Sequence, residues 1–259
     1  MFSMNDYGLV SIITPTYNCG RFIAETIESV LAQTYPNWEL IIVDDCSTDK
    51  TKDVVEKFKD SRIKYFRLGH NSGAAIARNT ALSLASGQWI AFLDSDDLWL
   101  PEKLERQLNF MVTNDYDFTY TNYSECDEAS KLQNVCISGP MHISKVGMFA
   151  FCWPGCLTVM YNHKKIGLIQ IEDIKKNNDY AMWLKVCKRA KCHLLPENLA
   201  TYRRGRAASI SNHSFIKLIK WHYRLFSDAE QMNPISSTLL TCLNLGCGFF
   251  KKLRYVKHI

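Results

Sequence analysis

The sequence predicts an α/β protein built on a mainly parallel sheet flanked by helices. Short apolar, β-branched runs recur at residues 9–14 (LVSIIT), 38–43 (WELIIV) and 89–94 (WIAFLD). Between them lie segments with apolar residues at helical spacing, the arrangement of right-handed βαβ units. Each run ends in polar or acidic residues: Thr14-Pro15, Asp44-Asp45, and Asp94-Ser95-Asp96-Asp97. In an open parallel sheet, ligands collect at the carboxyl ends of the strands.

In chain order, residues 9–14 read as a buried strand broken by PTYNCG. Residues 21–33 follow as a helix, with Phe22, Ile23, Ile27, Val30 and Leu31 on one face. Residues 38–43 are the second strand, and Ser47, Thr48 and Asp49 offer caps for a helix over about 50–59. IKYFRL (63–68) is the third strand, GHNSG a loop, and 74–85 an Ala-rich helix closed by Gly87. The fourth strand is 89–94. Beyond 110 the pattern loosens. DYDFTYTNYSEC offers a strand, a Gly-marked turn precedes another at 157–161, and NDYAMWLKVCKRA has helical spacing. CHLLPENLATYRR reads as strand–turn–strand, and 214–226 as an amphipathic helix with Lys217, Lys220 and Arg224.

With 259 residues, 47% hydrophobic and 22% charged, the chain fits one large folded domain, with or without an appendage, rather than a disordered protein. The ten cysteines lack CxxC spacing and sit in apolar surroundings, which implies buried free thiols in a reducing compartment. The N-terminal residues show no basic-then-apolar signal. The net charge of +5 belongs to the tail: residues 203–259 hold ten Lys/Arg against two Asp/Glu. No nucleic-acid-binding motif accompanies it.

Three clustered acids repel one another unless a cation or protons neutralise them. Asp-x-Asp supplies two hard oxygen ligands suited to Mg²⁺ or Mn²⁺, whose open positions substrate phosphates fill. The alternative is that these acids cap the helix starting near Pro101. GxGxxG after the first strand and GxxxxGK[ST] are both missing, so a nucleotide would be held otherwise. Asp45 is placed to accept from a base N–H, Tyr17 to pack on a ring, and Arg78 to serve base or phosphate. Asp45 serves equally as a cap of the 50–59 helix.

The segment VSIITPTYNCGRFIAETIESVLAQTYPNWELIIVDDCSTDKT resembles the opening of the family 2 glycosyltransferases. NSGAAIARNTALSLASGQWIAFLDSDDLWLPEKLE resembles their Asp-x-Asp segment, NDYAMWLKVCKRA their catalytic-base segment, and LATYRRGRAASIS the strand and loop after it. The resemblance spans residues 9 to about 212 in family order. It implies a GT-A fold with a Rossmann-like sheet over 1–212, divided into a nucleotide-sugar half (1–110) and an acceptor half (111–212); a basic, apolar helical tail (213–259) follows, outside the resemblance. It further implies a UDP-sugar donor, Mn²⁺ or Mg²⁺, and an inverting single displacement.

On that resemblance, Thr14, Pro15 and Tyr17 line the nucleoside pocket, and Asp45 with Asp44 reads the uracil. Arg78 lies near the nucleoside, Asp94 and Ser95 face the donor, and Asp96 with Asp94 holds the metal. Asp179 is the general base. Arg203, Arg204 and Arg206 lie in a loop that covers the diphosphate. The family commonly shows Glu-Asp at the base, where this chain has Asn178-Asp179. Glu172-Asp173 is rejected because IKKNN after it lacks the aromatic helical pattern. Trp153 and Gly155 fall in the acceptor half, where Trp153 stacks on a sugar or serves as a core aromatic.

The charge-free run 235–250 is 16 residues long, short of the ~20 that a spanning helix needs. It reads as a surface-lying segment, with Lys251, Lys252, Arg254 and Lys257 at anionic head groups, or as a helix packed on the domain. The resemblance then implies a lipid-linked acceptor and a cytoplasmic enzyme peripheral on the inner face of the membrane. The acceptor expected is undecaprenyl-diphosphate-linked GlcNAc or GalNAc, in O-antigen or capsule synthesis. The product expected is a β-linkage, β-1,3 favoured, from UDP-glucose or UDP-galactose. An aspartyl phosphatase is disfavoured, because Leu98 stands where such sites want Thr or Val. A catalytically inactive sugar-nucleotide or membrane-binding module is disfavoured by the intact Asp96 and Asp179.

Overall fold

The computed structural model describes residues 6–174, 176–205 and 215–258. Strands β1 (Val10–Thr16), β2 (Trp38–Asp44), β3 (Ile63–Arg67) and β4 (Trp89–Phe92) run parallel in the order β4-β1-β2-β3. Helices α1 (Ile23–Leu31), α2 (Thr51–Val55) and α3 (Ala74–Ser83) connect them. Every residue of β1, β2 and β4 is buried, as expected for strands covered on both faces. Successive side chains alternate between two cores. Val10, Ile12, Leu40 and Ile42 join one, while Ile13, Ile41, Val43 and Phe92 join the other.

After β4 the chain makes β5 (Leu98–Trp99), α4 (Lys103–Thr113), β6 (Phe118–Cys126), β7 (Leu132–Ile137), β8 (His142–Ile143) and α5 (Lys145–Ala150). Then come β9 (Met160–Asn162), α6 (His163–Ile166), α7 (Asn178–Cys187), β10 (Cys192–Arg203), α8 (Phe215–Arg224), α9 (Pro234–Tyr255) and β11 (Val256–His258). β9 inserts between β4 and β6, antiparallel to both, and the sheet continues through β7 to β11. β10 runs parallel to β6 and antiparallel to β5 and β8.

Several expectations need correcting. The helix expected over 50–59 is only α2, and Asp49 holds its start by accepting the Thr51 N–H at 2.9 Å. Gly87 does not close α3. Its backbone lies against β1, where a Cβ would stand 2.6 Å from the Ser11 nitrogen, so only glycine fits. The strand expected at 157–161 begins as a 3₁₀ turn (Cys156–Thr158) and becomes strand only at β9. The strand–turn–strand of 192–204 is one strand, with irregular pairing between Leu195 and Thr201, where Pro196 has no N–H to give. α8 continues into a π-helical turn, Leu225–Ala229. All ten cysteines are free.

The tail packs on the domain. α9 places Leu240, Cys247 and Tyr255 against the larger core, and β11 pairs with β7.

Candidate active site

The acidic turn follows β4 directly. The Asp97 N–H closes it on the Asp94 carbonyl at 3.0 Å. Asp94 and Asp96 are half-buried, while Ser95 and Asp97 are buried. None of the three acids caps the next helix: α4 starts at Lys103 behind Glu102, with no side-chain cap bond. Asp97 instead anchors the turn from behind, its Oδ1 accepting the Arg203 N–H at 2.9 Å. Burial, reinforced by the charges of Asp96 and Asp94, pushes the Asp97 carboxyl well above the usual range.

Arg78 joins this turn to the opposite wall. It projects from α3, is buried, and pairs with Asp94 at 2.5 Å. Its other terminal nitrogen donates to Asn178 Oδ1 at 2.9 Å, and its Nε has no partner among the described residues. Asn178 opens α7, so Asp179 follows immediately at the same rim. Asn177 before it adopts φ 58°, a left-handed conformation that Asn tolerates.

Asp179 is half-buried, and its Oδ1 accepts the Tyr180 N–H at 2.8 Å. Burial raises its carboxyl pKa, while the Arg78 guanidinium and the Tyr180 N–H pull it down. A carboxylate raised toward the working pH is a better proton acceptor. α7 is fixed by its buried face. Trp183 meets Phe92 of β4 edge-on at 5.0 Å, and the Tyr180 hydroxyl donates to the Met148 carbonyl at 2.7 Å and accepts from Asn244 of α9 at 2.9 Å.

On the donor side, Thr14 and Thr16 are buried with hydroxyls that have no partner among the described residues. Pro15 lies between them on β1, and Tyr17 is 46% exposed just beyond the strand end. Asp45 does not cap α2. Its two oxygens accept the N–H groups of Ser72 (2.6 Å) and Gly73 (2.8 Å), which sets the loop at the start of α3. Asp44 is corrected to a structural residue. It is fully buried and accepts from the Ser47 N–H (2.8 Å) and the Tyr65 hydroxyl (2.5 Å).

Arg203 is also corrected. Its side chain has no exposure, and its nitrogens go to Glu25 (2.9 Å), Ser130 (2.8 Å) and the Asp96 carbonyl (2.8 Å). It braces the acidic turn from inside and has nothing left for a diphosphate. Arg204 is exposed and pairs with Glu125 at 3.1 Å. Arg206 lies outside the described residues.

Trp153 is a packed wall residue rather than an open stacking platform. It is 8% exposed, its indole N–H donates to Gly147 O at 3.1 Å, and its ring meets Phe151 and Tyr255 edge-on. At Gly155 a Cβ would approach the Tyr123 ring to 3.1 Å, so the wall is tight there. Sequence reasoning missed Cys156, whose half-buried thiol, its pKa raised by desolvation, lies within electrostatic reach of Arg78, Asp94 and Asp179. It also missed Asn244, sixty-four residues from the tyrosine it holds. No local pattern signals either.

Among the described residues, no group of three or more His, Cys, Asp or Glu could hold a metal ion. Asp94 and Asp96 supply two hard carboxylates, which fits an ion that completes its shell with substrate phosphates. The arrangement therefore sets unpartnered hydroxyls and two acids at one rim, with a buried arginine tying them to a raised carboxylate opposite.

The profile of the family described as Glycosyl transferase family 2 matches residues 11–153. The chain is 44% identical to the UDP-Glc:alpha-D-GlcNAc-diphosphoundecaprenol beta-1,3-glucosyltransferase WfgD of Escherichia coli, over 71% of this chain and 72% of that one. It is 41% identical to WfaP, which bears the same activity name in the same organism, over 82% of this chain and 83% of that one. The structure is similar to that of S. aureus TarS 1-349 in complex with UDP-GlcNAc, with TM-score 0.72 and 21% identity, covering 95% of this chain and 74% of that one. That likeness confirms the GT-A fold expected from the sequence. The motifs, the fold and these similarities agree: the chain belongs to glycosyltransferase family 2.

Proposed function

We propose that the chain is an inverting β-glycosyltransferase that moves a hexose from a UDP-sugar to a lipid-linked sugar. Glucose is the favoured hexose and undecaprenyl-diphosphate-linked GlcNAc the favoured acceptor, with a β-1,3 bond formed. The names of the two relatives at 41% and 44% identity support this choice. The setting is surface-polysaccharide synthesis, O-antigen or capsule, at the inner face of the cytoplasmic membrane. No helix among the described residues is long and apolar enough to cross a membrane, and the attachment proposed is a peripheral one.

The observation that carries the reading is Arg78, held at once by Asp94 and by Asn178 beside Asp179. It ties the acidic turn after β4 to the first turn of α7, which supports reading Asp94, Asp96 and Asp179 as parts of one site. Thr14, Thr16 and Tyr17 receive the nucleoside, and Asp45 shapes the loop beside it. Asp94 and Asp96 would hold Mg²⁺ or Mn²⁺, which when bound supplies positive charge to the leaving diphosphate. An acceptor hydroxyl enters from the opposite side, between Asp179 and Cys156. Its oxygen bonds to the anomeric carbon as the bond from that carbon to the phosphate oxygen breaks. UDP leaves with the electron pair, and Asp179 takes the hydroxyl proton. An α-linked donor thus gives a β-glycoside. Most of the remaining acceleration comes from holding both substrates in line.

The test offers UDP-glucose and UDP-galactose with a synthetic GlcNAc-diphosphate-lipid, measuring UDP release. Release that requires the acceptor and favours UDP-glucose is expected. No release with any UDP-sugar refutes the reading.

A further inference from the structure

α9 is built inside out. Its core-facing side buries Ser237, Thr241 and Asn244. Its outer side exposes Ile235 (75%), Leu239 (65%), Phe249 and Leu253 (70%), flanked by exposed Leu243 and Phe250. At 100° per residue, positions 235, 239, 242, 246, 249 and 253 fall on one stripe, running most of a helix about 33 Å long. A helix bathed in water puts its polar residues outward, and this one does the reverse.

The charges on α9 itself have one sign. Lys252 and Arg254 are exposed on its flanks, and residues 231–259 contain no Asp or Glu. α8 packs beside α9 and exposes Ile216 and Ile219 together with Lys217, Lys220 and Arg224. An apolar stripe bordered by cations matches an interface with apolar chains below and anionic groups at its rim.

We infer that the outer face of α8 and α9 docks on an anionic lipid bilayer, with α9 lying in the plane of the head groups. The face goes further than the proposed reaction, because it stands on these two helices whichever sugar is moved. It also gives that reaction a geometry. The inner side of α9 holds Tyr180 through Asn244, and Lys251 donates to the Trp153 carbonyl at 2.8 Å. One helix thickness, about 10 Å, therefore separates the docking face from the base-bearing helix. A sugar attached to a lipid through a diphosphate is presented at that height.

The test uses the full chain and vesicles of phosphatidylcholine, with or without phosphatidylglycerol. The wild type is expected to float with the anionic vesicles and only weakly with the neutral ones. The double variant Leu239→Glu/Phe249→Glu should lose binding by more than about tenfold with an unchanged thermal melt, and Lys252→Glu by less. Turnover on a short-chain, water-soluble acceptor should survive in all of them. A double variant that floats like the wild type overturns the inference. So does a wild-type dimer in light scattering that the double variant splits, since a second copy of the chain would then cover the stripe. Vesicle binding that persists with no turnover on any acceptor would refute the reaction and leave the docking face standing.

Discussion

The parallel half of the sheet and the C-terminal helix sort their side chains by opposite rules. In β1, β2 and β4 every position is buried, and hydrophobicity marks the core. In α9 Ser237, Thr241 and Asn244 are buried while Ile235, Leu239 and Leu253 stand outside. An apolar pattern thus reports the core only where water is the medium on the other side. The polar groups divide the same way. In the parallel half the acids Asp44, Asp45 and Asp94 stand at strand ends, at the rim proposed to hold the donor. In α9 three of them point inward, and one, Asn244, holds α7 through the Tyr180 hydroxyl.

The largest expected effect separates binding from chemistry across these regions. Asp179→Ala should lower kcat by ~10²–10⁴-fold while UDP titration stays near wild type. Equal losses in binding and turnover would place Asp179 in the donor site instead. Because burial holds Asp179 high, activity should fall as pH drops through its raised pKa, and Arg78→Ala should move that acid limb to higher pH. An unmoved limb would uncouple the arginine from the base.

Next in size is Arg203→Ala, expected to cost about 3 kcal/mol in urea unfolding by stranding the groups around it. A loss of donor affinity without a loss of stability would return Arg203 to the diphosphate. The comparison is sharpest on α9 itself. Asn244→Ala should cost about 1–2 kcal/mol and lower kcat, because it releases the Tyr180 hydroxyl. Leu243→Ala, one position along, should stay within about 0.5 kcal/mol in free solution. The reverse order would mean that the exposed leucine packs against protein.

The last effect is a slope with pH rather than a loss on mutation, and it concerns Lys103. It is buried with its ammonium on Gln107 at 2.5 Å, and burial lowers its pKa to about 7. Unfolded, a lysine titrates near 10.4. Between those values the unfolded chain binds more protons, so stability should rise with pH from about 7 to about 10. Lys103→Met should flatten that slope in chemical denaturation at pH 7 and 9.

Much of the parallel half was legible in the sequence because its signals are local. A β-branched run followed by acids needs no distant partner to be read, and 9–14, 38–43 and 89–94 became β1, β2 and β4 with small shifts in their bounds. The same locality misled at Asp44 and Arg203. Each sits in a motif at the rim, yet its side chain turns inward, and only the positions of Tyr65, Glu25 and Ser130 reveal that. At Trp153 the sequence left two readings open, a sugar platform or a core aromatic, and the packing of Tyr255 from a hundred residues away favours the second. Asp179 was singled out by the family resemblance and preferred over Asp173 by the aromatic helical pattern after it. The bond from Arg78 to Asn178 beside it was not legible, because that contact closes only when α3 and α7 pack into one core.

The account rests on one displacement at the anomeric carbon, with Asp179 taking the proton opposite the Asp94/Asp96 turn. The ¹H NMR spectrum of the product formed from an α-linked UDP-sugar tests this most directly. A β-anomeric signal is predicted. An α-anomeric product would contradict a single inverting step and with it the role given to Asp179.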